Sequence, residues 1–273
     1  MGRAMELISG RATAPGATLT ATTMALGNSL TIRNAPLDSD IRLLQLWADY
    51  QAAGTLRVHS PKLHDNVQGI RFGIPASDAS PLLPFGVSQK LIAQDTLSVE
   101  QTGSAVGGDI EQWAGLIYYG NLPGSDARLT TVEDVMRRGV NLVNIENTIT
   151  TGAGGGYTGE ESIAAEFDLT KANTDYALIG YVCTVECCAI RWRGADLANL
   201  GVGGPGHETL RHITSQWFMM LSEEFGLPLI PVINSANKFG ISIDAVQDEN
   251  AAAVLVNTIL VELGGSAGAA PAR

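Results

Sequence analysis

Apolar residues recur along this chain in short runs with a period near two, punctuated by Gly, Pro, Asn and Asp, and that rhythm predicts strands rather than helices. In the first half it predicts strands over residues 18–24, 29–33, 41–49, 55–59, 69–74, 91–101 and 110–119. In the second half it predicts 140–150, 163–169, 177–185, 188–193, 229–234, 241–246 and 254–263. Helical spacing is the minority pattern. Thr130 with Glu133 three residues on forms a capping-box signal, with Gly139 as the stop. Across 208–225, Leu210, Ile213, Trp217, Leu221 and Phe225 step by three or four, the apolar stripe of an amphipathic helix, and Gly226 and Pro228 end it.

The two halves echo each other. Pro81-Leu82-Leu83-Pro84-Phe85 returns as Pro228-Leu229-Ile230-Pro231-Val232, and Ser88 answers Ser235. Leu97-Ser98-Val99 returns as Ile241-Ser242-Ile243, and Leu56-Arg57-Val58 as Ile190-Arg191-Trp192. Because these pairs keep one order, the first three at nearly one spacing, the chain reads as one β-rich module built twice. The 208–225 helix is then an insertion in the second copy, where the first has only a loop at 76–80. The fold expected is all-β: two tandem antiparallel jelly-roll sandwiches, a double jelly roll, with short connecting and inserted helices. Residues 1–128 form the first, with an N-terminal arm, and 129–263 the second. The Gly-rich loop at 151–156 and a small-residue tail at 264–273 are expected to be mobile, the tail frayed or laid on a neighbour.

Length supports this division, since 273 residues can supply two modules of about 100–150 residues, each large enough for its own core. Charged residues make up 16% of the chain, against about 25% in ordinary soluble domains. Lysine is the scarcest, at Lys62, Lys90, Lys171 and Lys238. Lysine is depleted where one protein surface covers another, so the shortage points to self-association. A net charge of −11 and an N-terminal stretch holding only Arg3 and Arg11 argue against direct nucleic-acid binding. There is no apolar run of about 18 residues, no signal-peptide pattern and no glycosylation sequon, so synthesis in the cytoplasm is expected.

Several motifs invite a catalytic reading and fail on context. Gly201-Val202-Gly203-Gly204-Pro205-Gly206 fits a dinucleotide fingerprint, but no βαβ unit surrounds it, and a turn is expected instead. Gly264-Gly265-Ser266-Ala267-Gly268 matches a nucleophile elbow with almost no chain left for the helix that elbow needs. His207 and His212, like His59 and His64, stand five apart, which aims no two imidazoles at one metal from a helix or strand. Surface or turn positions are expected for them. Cys183, Cys187 and Cys188 fall in one expected strand as buried thiols, an odd set that makes no disulfide framework. The adjacent acids Glu160-Glu161, Glu223-Glu224 and Asp248-Glu249 point apart and read as solvated faces. Trp47, Trp113, Trp192 and Trp217 lie one per element, as core or interface anchors. No catalytic, cofactor-binding or metal residue is assigned, no cofactor is expected, and the chain is not expected to be an enzyme.

On the duplicated pattern and the Pro81 and Pro228 motif pair, residues 18–263 resemble the double jelly-roll major capsid proteins of tailless icosahedral phages, the lineage shared with adenovirus-type capsids. The resemblance implies two upright rolls side by side, homotrimeric pseudo-hexameric capsomers and an icosahedral shell. Its implied partners are neighbouring capsomers, vertex or minor capsid proteins and an internal membrane. The implied location is the virion. The short loops depart from family members with tall tower insertions. The rival expectations are a bicupin-like duplicated-barrel enzyme, whose H-x-H metal cluster is missing here, and a carbohydrate-binding or tail-associated sandwich module.

Overall fold

The computed structural model describes residues 2–265 apart from 25–30, 64–66, 78–79, 126, 151–156, 158–159, 165–170 and 247–252. In the first half the strands are β1 (Gly2–Thr13), β2 (Thr20–Ala21), β3 (Thr23–Met24), β4 (Ile41–Asp49), β5 (Gly54–His59), β6 (Ile70–Ile74), β7 (Gln89–Lys90), β8 (Ser98–Thr102) and β9 (Ile110–Leu122). Then come β10 (Leu129–Thr130), helix α1 (Val132–Arg138), β11 (Gly139–Thr150), β12 (Glu161–Ser162), β13 (Asp175–Cys183), β14 (Cys187–Arg193) and β15 (Val202–Gly206). Helices α2 (Arg211–Thr214) and α3 (Trp217–Phe225) follow, and β16 (Ile230–Asn234), β17 (Ser242–Val246) and β18 (Ala253–Leu263) close the chain.

Four antiparallel sheets result. Their orders are β3-β1-β9-β4-β7 and β2-β8-β5-β6 in the first half, and β10-β16-β13-β18-β11 and β12-β17-β14-β15 in the second. Treating β2 and β3 as one bent strand and setting β10 aside as an added edge, each half has eight strands. One sheet of each then runs first-eighth-third-sixth and the other second-seventh-fourth-fifth. That order is a jelly roll, and it occurs twice. The sequence echoes fall on equivalent strands: Leu56-Arg57-Val58 in β5 and Ile190-Arg191-Trp192 in β14 are both fourth, and the Leu97 and Ile241 motifs lead into the seventh strands β8 and β17. The Pro81 and Pro228 motifs flank the sixth strands β7 and β16. The helical insertion separates the fifth and sixth strands of the second roll, where the first has a loop.

Some expectations need correction. The N-terminal arm is no arm: β1 pairs along its length with β9 in the middle of a sheet. Its residues from Ala4 to Gly10 are all buried, because both faces of that sheet are covered and no period of two survives in the sequence. Of the strand expected over 91–101 only the end is strand, in β8, and residues 91–97 form a turn after β7. The helix cap sits one residue later than the capping box suggests, with Thr131 Oγ1 accepting from the Asp134 N–H while Thr130 Oγ1 donates to the Asp134 carboxylate. The 208–225 helix is broken at Ser215–Gln216, although Gly226 ends it in the left-handed conformation as expected. The Gly201–Gly206 run is a buried strand rather than a turn. A side chain at Gly204 would strike the Tyr181 hydroxyl and the Trp217 indole, so this position packs only without one. The loop at 151–156 and the tail beyond Gly265 lie outside the described residues, as do most of the strand expected over 163–169 and the first two residues of that over 29–33, whose described part, 31–33, forms only an isolated bridge from Thr31 to Thr96.

Candidate functional site

The most elaborate contact in the molecule is the face where the rolls meet. The β1-β9-β4 sheet of the first roll turns its outer face onto β14 and β15 of the second. Along β4 the sequence Leu43-Leu44-Gln45-Leu46-Trp47 is buried without interruption because the strand lies between two cores, and a register shift between Leu43 and Gln45 breaks strict alternation: Leu44 and Trp47 join the second roll's cluster, while Leu43 and Leu46 stay in the first. Met5, Leu7, Ala114, Leu116 and Tyr118 also face the second roll.

Trp47 is central there. Its Nε1 donates to the Cys188 carbonyl across the boundary at 2.6 Å. Its ring meets Trp217 of α3 edge-on, with centroids 5.9 Å apart and planes at 84°. Phe85, from the first roll's Pro-Leu-Leu-Pro segment, meets the same Trp217 at 6.0 Å. The inserted helix is thus a hub that ties both rolls together, and all four tryptophans are fully buried. Backbone contact is direct as well, with the Leu7 N–H donating to the Gly201 carbonyl at 2.7 Å.

Beneath this face lies a charged pair. Arg191 donates to both oxygens of Asp244 at 2.9 and 2.6 Å, and the side chains are only 6% and 2% exposed. The Arg191 guanidinium lies 3.7 Å from the centroid of the Tyr157 ring, and Ser9 of the first roll donates to the Tyr157 hydroxyl at 3.4 Å. Burial pushes the Asp244 carboxyl above its ordinary range against the pull of Arg191. A crevice of about 60 Å³ beside the pair is lined by Glu6, Leu7, Arg33 and Arg193 among others. Each of its arginines already has a carboxylate: Arg33 holds Glu6, Arg193 holds Glu160 and Arg191 holds Asp244.

The first roll repeats this pair. Arg57 on β5 stands opposite Glu100 on β8 in cross-strand register, as Arg191 on β14 stands opposite Asp244 on β17. Arg57 forms an ion pair with Glu100, but here the side chains are 14% and 22% exposed, and His59 Nε2 is 3.5 Å from the same carboxylate. Neither pair was singled out by sequence. The signal was nonetheless present, since each acid follows by one residue the echoed motif that ends at Val99 or Ile243.

The residues weighed as chemistry disperse. His59 and His207 are buried rather than on the surface: the His207 ring Nδ1 accepts from the Thr209 N–H, and its Nε2 faces Glu186 at 2.9 Å. His212 is exposed, and His64 lies outside the described residues. Cys183 ends β13 and Cys187 begins β14, so the three cysteines occupy two strands of two sheets rather than one. All three are buried and none forms a disulfide, and burial pushes the Cys183 thiol up to about 12. Glu160, Glu161, Glu223 and Glu224 are exposed, while Asp248 and Glu249 and most of the Gly264–Gly268 string lie outside the described residues. Among the described residues no three His, Cys, Asp or Glu side chains are placed to hold a metal ion, and no helix is long and apolar enough to cross a membrane.

No family model and no curated protein matches the chain. Seven solved chains do. The chain is similar to the PBSX exported protein XepA at 9% identity, covering 93% of this chain and 86% of that one, with a TM-score of 0.27. It is similar to a protein of Sulfolobus Turreted Icosahedral Virus at 11% identity, covering 96% and 82%, with a TM-score of 0.22. Scores this low carry no argument, so the fold rests on the strand order itself.

Proposed function

We propose that this chain is a non-catalytic structural protein, the major capsid protein of an icosahedral virus, acting as a homotrimer that forms a pseudo-hexameric capsomer. The observation that supports this most is the duplication: one strand order, present twice, with the rolls joined face on face. Residues 1–128 and 129–263 are taken as the two modules. Two similar but unequal modules in one chain let three copies surround an axis with six similar walls, while the differences between modules fix orientation. The inserted helix in one roll only is such a difference. Low charge and scarce lysine suit a surface covered by sister chains. Neighbouring capsomers are the partners proposed, and the virion shell is the place.

Electron microscopy of the expressed protein tests this. Hexagonal capsomers about an axis, or closed shells, are the expected images. A chain that stays monomeric at high concentration, or that purifies with a stoichiometric metal and turns over a substrate, overturns the proposal.

A further inference from the structure

At one end of the second roll a single carboxylate touches both an amine and a carboxamide. Glu262 on β18 stands directly across the ladder from Asn141 on β11, and Asn141 Nδ2 donates to its Oε2 at 3.0 Å. Lys171 Nζ donates to its Oε1 at 2.5 Å. Strand parity explains the meeting: Asn141 shares a face of β11 with Ile145, and Glu262 shares a face of β18 with Leu260, both core residues, so the pair sits at the end of that core. Lys171 comes from the loop before β13, whose backbone is moored on the far side. There Ser235 Oγ donates to the Lys171 carbonyl at 2.8 Å and accepts from the Thr174 N–H at 3.0 Å. The lysine side chain thus reaches from that side to β18, which lies between β13 and β11. The ion pairs described above use arginine or histidine. Arginine stays protonated and is no nucleophile, whereas a lysine amine that hands over its proton is one.

We propose that Lys171 and Asn141 condense on Glu262 into an isopeptide bond that staples β11 to the loop before β13. Glu262 takes a proton from the Lys171 ammonium, and the freed Nζ attacks Asn141 Cγ. The carboxyl delivers its proton to Nδ2, the Cγ–Nδ2 bond breaks with its electron pair on nitrogen, and ammonia leaves. The carboxylate then collects the surplus proton from the new amide nitrogen and passes it to the ammonia. A lysine ammonium is exchanged for an ammonium ion, so atoms and charge balance and nothing outside the chain is consumed. Holding both partners on one carboxylate supplies the orientation and the proton relay that an amine and an amide lack in free solution. The Lys171 side chain is 54% exposed, so its ammonium keeps its hydration and the condensation is a slow maturation of the folded chain. The bond closes residues 141–171 into a covalent loop and anchors β11, which is last in its sheet and has no strand on its outer side. It acts within one chain and does not depend on the capsid role.

Intact-mass spectrometry of the purified wild-type chain, followed during warm incubation in the folded state, tests this. The mass is expected to fall by that of one ammonia, and a protease that cuts after glutamate is expected to release residues 134–146 joined to residues 167–186. Lys171→Arg keeps the ion pair without the nucleophile, and Asn141→Ala removes the acceptor. Both are expected to hold full mass and to melt below the matured wild type. Glu262→Gln keeps amine and carboxamide but loses the relay, and should condense about a hundredfold more slowly. A wild type that keeps its full mass overturns the proposal, as does one that loses water by joining Lys171 to Glu262, or one in which Asn141 is merely hydrolysed to a carboxylate. Condensation of Glu262→Gln at the wild-type rate overturns it too. The wild-type masses decide even where a variant fails to fold.

Discussion

Two ion pairs at equivalent positions in different surroundings make a controlled comparison of what burial does to a charge. Asp244 accepts two bonds from Arg191 and both side chains are nearly dry, so Asp244→Asn leaves a guanidinium without its counter-charge in a closed interface. Breaking a buried pair from one side costs about 3–5 kcal/mol. Glu100→Gln removes the equivalent carboxylate where water still reaches both partners, and the expected cost in the isolated chain falls to about 1 kcal/mol. In urea, with a slope near 3 kcal/mol per molar for a chain of this size, Asp244→Asn should lower the midpoint by about 1–2 M and Glu100→Gln by a few tenths. Tryptophan fluorescence reads this well, because Trp192 adjoins Arg191 in β14 and Trp47 lies in the same interface. The double change Arg191→Met with Asp244→Leu removes both charges and should recover most of the loss. Equal costs for Asp244→Asn and Glu100→Gln would refute the claim that the rolls seal one pair and leave the other open.

Three further outcomes are expected. Trp47→Phe keeps an aromatic ring but removes the indole N–H that bonds the Cys188 carbonyl across the boundary, and should destabilise the chain by about 1–3 kcal/mol in the same titration; a neutral result would mean that this bond adds nothing to the joint. Lys171, then Asn141, hold the Glu262 carboxyl below its ordinary range. Its contribution is therefore fully present above the unfolded value of about 4.3 and is lost as pH falls through the lowered folded value, so Glu262→Gln should flatten that part of a stability-against-pH curve. Cys183, Cys187 and Cys188 should resist a thiol reagent at neutral pH until the chain is denatured, and prompt labelling of the native chain would contradict their burial.

How far the fold was legible depended on whether one face of a strand meets water. β11 alternates exposed and buried residues along Asn144 to Thr150, and its pattern was read almost to the residue. β1 is sandwiched between two cores, so Met5 and Leu7 face one and Ala4 and Ile8 the other, and the alternation that marks a strand vanished. Gly201–Gly206 failed for a related reason: its glycines answer to crowding by Tyr181, Trp217 and Ile190, groups that are distant or unremarkable in sequence. The duplication was legible because Pro81 and Pro228, Arg57 and Arg191 recur in order. The interface was not, since a repeat shows that two modules exist and is silent on which walls touch. Only the packing of Trp47 against Cys188 and Trp217 revealed that.

The tether between the rolls has a kinetic consequence. Because β10 and α1 carry the chain directly from one roll to the next, the first wall-to-wall contact forms within a single molecule and cannot be lost by dilution. A six-walled ring built from such tethered pairs needs two molecular encounters where six separate rolls would need five. Its onset would therefore depend less steeply on protein concentration than that of a ring assembled from single modules.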